Sequence, residues 1–363
     1  MKKLKIKNIL IPIDFSEMSI RTIATAKTLA QRFESTIHLL NIQEPFYPAL
    51  FYNPGAPVVV APLETGEELR KSATERLKAL AKKNGLTGRC EAVIGTPVFN
   101  EICTRAKQIP AALIVTPTHG RTGLKHIFLG STAERLVQHS PCPVFIARAG
   151  VHRSRSKSRL LINTILVPVD FSGCSLAGLK YAIAFAERVA ARIIVFHALD
   201  MGYAYTADGY AMYDLSALQD AARKAAETQM QKFVRAARFG GVKFETAIEI
   251  GPPVWTICEF AQARHVDLII SATHGWTGFK HVLIGSTAEQ VVRHAPCSVL
   301  IAPSHPKIRT MNLNRPRVSK GKIDRKTRRL QSRPKEFARR YRLPIASPFP
   351  ERRKTNKFRE THA

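Results

Sequence analysis

The chain has 363 residues, 45% of them hydrophobic, and its 56 Lys and Arg against 27 Asp and Glu give a formal net charge of +29. This length predicts about two to three domains, each large enough to bury a core. No stretch approaches the roughly 20 apolar residues that a spanning helix needs, and the six cysteines form no Cys-x-x-Cys pair, so we expect a cytoplasmic protein with core-packed thiols and no membrane span.

Strand and helix patterns alternate through the first half of the chain. Short runs rich in Ile, Val and Leu predict buried parallel strands, and stretches with apolar residues at helical spacing lie between them. The predicted strands are 8–14, 36–42, 89–94, 111–116 and 143–147. The predicted helices are 19–33, 63–84, one opening after the Gly-x-Pro-Val turn at 95–98, and one starting at Ser131. This alternation is typical of βαβ units.

The second half of the chain repeats this order. Asp170 follows Asp14 by 156 residues and His274 follows His119 by 155, so the halves align with almost no net insertion. The chain is therefore predicted to be α/β and duplicated, each half forming an open doubly wound sheet of five parallel strands flanked by helices. We expect the domains at 1–148 and 161–302, joined by a short basic linker at 149–160.

The remaining segment, 303–363, has a different composition. It carries 20 Lys and Arg against 4 Asp and Glu, and it lacks the periodicity of the two halves. We expect this tail to be largely disordered. Its charge would suit RNA, DNA or acidic lipid through counterion release, and a solvated extension fits the composition equally well.

One sequence occurs twice, as HGRTGLKHIFLGSTAE at 119–134 and as HGWTGFKHVLIGSTAE at 274–289. In each copy a glycine loop runs into the start of a helix. The Ser-x-x-Glu spacing of Ser131 with Glu134, and of Ser286 with Glu289, predicts a capping box at that start. Because the first N–H groups of a helix and its dipole attract anions, the stretch predicts a phosphate-binding site.

Each half also places an aspartate where its first strand ends, in Pro-x-Asp sequences that finish at Asp14 and Asp170. In an open parallel sheet, ligands bind at the carboxyl ends of the strands, where the aspartate and the glycine stretch would meet. A carboxylate there can accept hydrogen bonds from a ribose hydroxyl or an adenine amine, while the loop takes the phosphates. A glycine pair with a helix cap is by itself more often a structural turn, but the combination favours nucleotide binding.

Both halves resemble the universal stress protein family, over residues 5–148 and 160–302. The resemblance rests on the ILIPIDFS and ILVPVDFS openings, on the THGRTGLKHIFLGSTAERLVQHSPCPV and THGWTGFKHVLIGSTAEQVVRHAPCSV closings, and on the repeat of about 155 residues. It implies a cytosolic, UspA-like α/β fold akin to the adenine nucleotide alpha hydrolases, with two domains paired side by side.

The same resemblance implies ATP binding through a Gly-x2-Gly-x9-Gly-[Ser/Thr] motif. Asp14 and Asp170 match the adenosine-contacting aspartate of the family. The positions that match its phosphate-binding residues are Gly120, Gly130, Ser131 and Thr132 in the first half, and Gly275, Gly285, Ser286 and Thr287 in the second.

The first glycine of that motif is replaced in both halves, by Pro117 and by Ala272. Proline lacks an N–H and cannot adopt a positive φ, whereas alanine is a smaller change. We therefore expect the second half to hold the better site.

Catalytic and metal-binding signals are weak. The sequence has no Walker A motif, no distinguishable Ser-His-Asp order and no paired carboxylates at the presumed site. Six histidines recur in step between the halves, but no other ligand type joins them, so no metal site is assigned. They are His119, His126 and His139, with His274, His281 and His294.

These features lead to three hypotheses of different classes. The main one is a stress-response regulator that binds ATP or a related adenine nucleotide without strong turnover. The second is a nucleic-acid-associated stress factor that uses the tail at 303–363. The third is an adenylating or ATP-hydrolysing enzyme of the wider nucleotide-binding superfamily. The sequence leaves open whether the chain also forms a homodimer.

Overall fold

The computed structural model describes residues 4–44, 66–118, 129–148, 162–201, 215–272 and 286–302, all within one compact unit. The predicted linker at 149–160 and the predicted tail at 303–363 lie outside the described residues. So does most of each glycine loop, at 119–128 and 273–285.

The first half alternates strands and helices, with bounds within three residues of those predicted from the sequence. Its elements are β1 Asn8–Pro12, α1 Glu17–Phe33, β2 Thr36–Gln43, α2 Gly66–Asn84, β3 Cys90–Ile94, α3 Val98–Gln108, β4 Leu113–Pro117, α4 Ser131–His139 and β5 Val144–Ala147.

The second half has the same nine elements in the same order among the described residues. They are β6 Thr164–Pro168, α5 Gly173–Val189, β7 Arg192–Leu199, α6 Leu215–Ala237, β8 Phe244–Ile250, α7 Pro253–Ala263, β9 Leu268–Ala272, α8 Ser286–His294 and β10 Ser298–Ala302.

The strands form one ten-stranded sheet in the order β3-β2-β1-β4-β5-β10-β9-β6-β7-β8. Within each half all neighbours are parallel, which confirms the predicted doubly wound α/β fold. The halves join at their last strands, which pair antiparallel with Val299 opposite Ile146. In each half the strand order reverses between the first and fourth strands, where this type of sheet opens a crevice for a ligand.

Helices cover both faces of the sheet, which explains why the strands are almost continuously apolar. Along β1, Ile9 and Ile11 pack in the core shared with α1, α2, α5 and α6. Leu10 instead packs in the core on the opposite face, as the alternation of side chains along a strand requires. The helices α3, α4, α7 and α8 cover that second face.

The two halves also touch through their helices. On one face the ring centroids of Phe33 in α1 and Phe185 in α5 lie 5.2 Å apart, and Nη2 of Arg188 donates to the carbonyl of Arg32 at 2.8 Å. On the other face, Arg293 in α8 lies 3.0 Å from Glu134 in α4. The interface between the halves is therefore built from main-chain pairing, apolar packing and charge together.

The predicted capping box at Ser131 is wrong. The N-cap of α4 is Gly130, with no side-chain hydrogen bond, and Ser131 is the first helical residue. Glu134 and Glu289 each form an ion pair with Arg293. The carboxylate of Glu134 therefore pairs with an arginine of the other half.

Candidate functional site

The aspartate at the end of the first strand is held by the turn that follows it. Asp14 is half-buried, and its Oδ1 accepts hydrogen bonds from the backbone N–H of Ser16 at 2.9 Å and from the Ser16 hydroxyl at 2.6 Å. Asp170 occupies the same place after β6, where its Oδ1 accepts from the N–H of Ser172 at 3.0 Å. Both carboxylates are thus oriented by the backbone of the turn that follows the strand.

The same serines start the helices that follow. Ser16 is the N-cap of α1, and its hydroxyl oxygen accepts from the N–H of Ser19 at 3.2 Å. Ser172 caps α5 in the same way, through the N–H of Ser175 at 3.1 Å. An N-cap serine satisfies one of the unpaired N–H groups of a helix start. The position of each aspartate is therefore coupled to the start of a long core helix.

The residue between aspartate and serine has a left-handed backbone in both halves. Phe15 has a φ of 62° and Phe171 a φ of 61°, a conformation that is a genuine outlier for bulky side chains. Such conformations persist where the surroundings over-determine them, and they cluster at ligand-binding sites. Phe15 and Phe171 turn the chain sharply enough to bring the serine back onto the carboxylate.

A side chain from the second strand of each half fixes the residue before the aspartate. The Nδ2 of Asn41, which is fully buried, donates to the carbonyl of Ile13 at 2.7 Å. In the second half Nδ1 of His197 lies 2.8 Å from the carbonyl of Val169. A carbonyl only accepts, so Nδ1 of His197 carries the proton. The halves thus achieve the same restraint with different side chains.

The start of α4 is tied to the end of β4. Thr118 is buried, and its carbonyl accepts a hydrogen bond from the N–H of Gly130 at 2.8 Å, which closes the base of the glycine loop. Since β1 and β4 are neighbours, Asp14 and the amino end of α4 follow adjacent parallel strands at one edge of the sheet. This is the edge where the sequence predicts the ligand.

The remaining predicted site residues are only partly described. Ser131 is exposed and Thr132 half-buried in the first turn of α4, and Ser286 and Thr287 are exposed in the first turn of α8. The predicted residues that lie outside the described part of the chain are Gly120, Gly275 and Gly285.

Arg76 of α2 was missed by sequence reasoning. Its guanidinium lies over the Phe15 ring, 3.9 Å from the centroid. Together with Asp14, Phe15 and Ser16 it lines an open pocket of about 390 Å³. In the sequence Arg76 is one of several cations in an amphipathic helix, so nothing marked it as different from a solvated charge. The pocket has an acceptor, a hydroxyl, an aromatic face and a cation.

The two replaced motif positions lie at equivalent strand ends. Pro117 is the last residue of β4, opposite Ala147, and Ala272 is the last residue of β9, opposite Ala302. Ala272 packs tightly on α5, since a Cβ placed on Gly178 would lie 3.0 Å from the Ala272 Cβ. Proline cannot donate a ladder hydrogen bond, and at Pro117 this loss falls on the last residue of the strand.

Other predicted features concern the histidines, the cysteines and membrane-spanning helices. His139 and His294 are exposed, the other four recurring histidines lie outside the described residues, and among the described residues no three His, Cys, Asp or Glu side chains are grouped to hold a metal ion. Cys103, Cys258 and Cys297 are buried, in keeping with core packing. No helix within the described ranges is long and apolar enough to cross a membrane.

Comparisons with known proteins agree with this architecture. The pattern of the universal stress protein family matches residues 5–148 and 162–303. A universal stress protein of Methanocaldococcus jannaschii is 30% identical over 141 residues, which are 39% of this chain and 82% of that protein.

Two solved structures are similar over both halves. A universal stress protein of Archaeoglobus fulgidus has a TM-score of 0.51 at 21% identity and covers 82% of this chain and 97% of its own. A protein of unknown function from Pseudomonas aeruginosa has a TM-score of 0.56 at 19% identity, covering 82% and 92% respectively. At these identities the structures show the fold alone. Since the family pattern spans most of the chain in two copies, the chain belongs to the universal stress protein family.

Proposed function

We propose that this chain binds ATP or a related adenine nucleotide, at one site in each half, and acts as a regulator in the stress response. One observation carries the proposal. In both halves an aspartate is fixed just beyond the central strand by the N–H of the serine two residues later. Each aspartate lies beyond the carboxyl end of its strand, next to the point where the strand order reverses. Sheets of this type bind nucleotides at that point.

Each part of the site suits a different part of the ligand. A fixed carboxylate accepts hydrogen bonds from a ribose hydroxyl or an exocyclic amine, and its orientation by Ser16 lowers the cost of ordering it. The amino end of α4 offers free N–H groups and the positive end of the helix dipole to phosphates. Arg76 adds a cation beside Asp14 in the first half. This division of roles is what a nucleotide needs.

The proposal includes no catalytic base. Asp14 and Asp170 each hold one carboxylate oxygen as the acceptor of a hydrogen bond from their own turn, and this fixed orientation suits them to binding. We therefore infer a regulator whose state changes with nucleotide occupancy, and phosphate release from ATP should equal that of buffer.

Equilibrium dialysis of the full chain against labelled ATP tests the proposal. Saturable binding is expected, with competition by unlabelled ATP and weaker competition by inorganic triphosphate, which lacks the adenosine part. Absence of saturable binding at millimolar ATP would contradict the proposal and leave the family assignment untouched. ATP-dependent phosphate release above that of a heat-denatured sample would instead favour an ATP-hydrolysing enzyme.

A further inference from the structure

The two helical layers of the sheet differ in charge. The helices α1, α2, α5 and α6 together contain 15 Lys and Arg against 7 Asp and Glu, and their exposed face is called the basic layer below. The helices of the opposite layer, α3, α4, α7 and α8, contain 4 of each. The excess positive charge of the described helices is therefore confined to one face of the sheet.

Apart from Arg70, which pairs with Glu67, and Arg76, which lies over Phe15, eight cations are exposed on the two outer helices of the basic layer. They are Lys71, Lys78, Lys82 and Lys83 on α2, and Arg223, Lys224, Lys232 and Arg235 on α6. None of the eight has an ion-pair partner within 4.0 Å in the described part of the chain. Each therefore presents its charge to solvent, on a helix whose other side is fixed in the core.

Three arginines on the other side of the sheet form ion pairs within the fold. Arg105 of α3 lies 3.6 Å from Glu91, and Arg264, just after α7, lies 2.6 Å from Glu245. Arg293 of α8 contacts the carboxylates of both α4 and α8. These three arginines are thus neutralised by carboxylates of the fold, unlike the eight cations of α2 and α6.

We propose that the basic layer binds the phosphate backbone of a nucleic-acid duplex. Its helices lie side by side in the order α2, α1, α5, α6, because Nζ of Lys27 in α1 donates to the carbonyl of Asn84 in α2, α1 contacts α5, and α5 contacts α6. Helices pack about 8–10 Å apart, so the four helices span a length of duplex that carries on the order of 15 phosphate charges, at one per about 1.7 Å of axis. None of the eight cations lines the described pocket at Asp14, although Arg76 of α2 does.

The basic layer fits a duplex better than other polyanions. A membrane-binding helix needs a row of exposed apolar anchors, whereas the exposed large apolar side chains described on this layer are two residues on different helices, Ile20 of α1 and Leu218 of α6. Single strands bind through exposed aromatic rings on which bases stack. The exposed aromatic residues among the described side chains, Phe244 and Trp255, lie on β8 and α7 and not on the basic layer. Lys and Arg side chains that contact phosphates bind a duplex without preference for its sequence.

Fluorescence anisotropy of the full chain with a labelled DNA duplex tests the proposal. The variant replaces the α2 lysines, Lys71, Lys78, Lys82 and Lys83, with Gln. The control replaces four exposed lysines outside the basic layer, Lys5, Lys7, Lys107 and Lys243, with Gln. Both variants have the same net charge and keep the tail at 303–363, so only the position of the charge differs.

The α2 variant should bind the duplex about tenfold more weakly than the control, and the slope of log K against log salt should flatten by about 0.9 for each phosphate that the variant no longer neutralises. Equal affinities and slopes for the two variants would overturn the proposal, because net charge or the tail would then explain binding. It would also be overturned if the α2 variant were weakened only in binding vesicles that contain phosphatidylserine. Circular dichroism of both variants should match that of the wild-type chain.

Discussion

The hydroxyl of Ser16 donates a 2.6 Å hydrogen bond to Oδ1 of Asp14. The oxygen of that hydroxyl also accepts from the N–H of Ser19, so one side chain serves both the candidate ligand acceptor and the start of α1. The core helix and the site are therefore not independent. A ligand that holds Asp14 in place also restrains the first turn of α1.

Ser16→Ala should weaken both folding and binding. The loss of an N-cap side chain costs about 1 kcal/mol in the free energy of unfolding, and Asp14 loses the hydroxyl donor while it keeps the backbone N–H of residue 16, which should lower the affinity for ATP. Urea denaturation and ATP titration measure the two effects. Ser72→Ala, at an exposed position in α2, is the control and should change neither. A Ser16→Ala protein with unchanged stability would show that the cap contributes nothing.

The two sites should differ in affinity. Pro117 removes an N–H and a flexible residue at the end of β4, whereas Ala272 at the end of β9 keeps its N–H. Asp170→Asn should therefore abolish the tighter phase of ATP binding, and Asp14→Asn should affect only the weaker phase. Isothermal titration of each variant separates the phases. The opposite ranking would mean that Arg76 outweighs the proline.

Arg293→Gln should destabilise the interface between the halves. Nη2 of Arg293 lies 3.0 Å from Glu134 and 2.9 Å from Glu289, and all three side chains are about three-quarters buried. Removing the cation leaves two carboxylates close together, which should cost about 1–3 kcal/mol in unfolding free energy. The matched control is Arg21→Gln, since Arg21 pairs with Glu17 at the exposed surface. A destabilisation of the same size in both variants would contradict this role.

Two thiols shielded from water, those of the half-buried Cys142 and the buried Cys297, should make the protein less stable at alkaline pH. Burial raises the pKa of Cys142 and that of Cys297 from 9.0 to about 12. The unfolded chain ionises these thiols first, so their contribution is complete below about pH 9 and is lost as pH rises toward about 12.

The Cys142→Ala/Cys297→Ala double variant should therefore lose less stability than the wild-type chain between about pH 8 and about pH 10. Urea denaturation at several pH values measures this slope, and comparison with the wild-type chain removes the contribution of Lys and Tyr residues. Parallel slopes for the two proteins would show that these thiols are not protected from ionisation by burial.

Much of the fold could be predicted because the signals are local. The apolar run 8–14 predicted β1, and the error of two residues arises because the chain turns at Phe15, whose positive φ no sequence rule anticipates for a bulky residue. Periodicity predicts that α1 starts at residue 19, whereas Ser16, a good N-cap residue, indicates the observed start at Glu17.

The rest depends on contacts between the halves. Nothing in 143–147 or 298–302 indicates that β5 and β10 pair antiparallel, because both read only as buried strands. The spacing of Ser131 and Glu134 predicts a capping box, but Glu134 forms an ion pair with Arg293, which is distant in sequence. The Pro-x-Asp pattern predicted that Asp14 and Asp170 follow the first strand of each half, as they do. Arg76 reaches the pocket from another helix and left no signal in the sequence.

ATP binding by the wild-type chain and by the Asp14→Asn/Asp170→Asn double variant is the most direct measurement of the central claim. Asparagine keeps the size of each side chain and replaces a carboxylate oxygen by an amide, so the turns at Ser16 and Ser172 should remain folded. Saturable binding to the wild-type chain, with affinity at least tenfold weaker in the double variant, is the expected result. Equal affinities in two folded proteins would contradict a role for these aspartates in nucleotide binding.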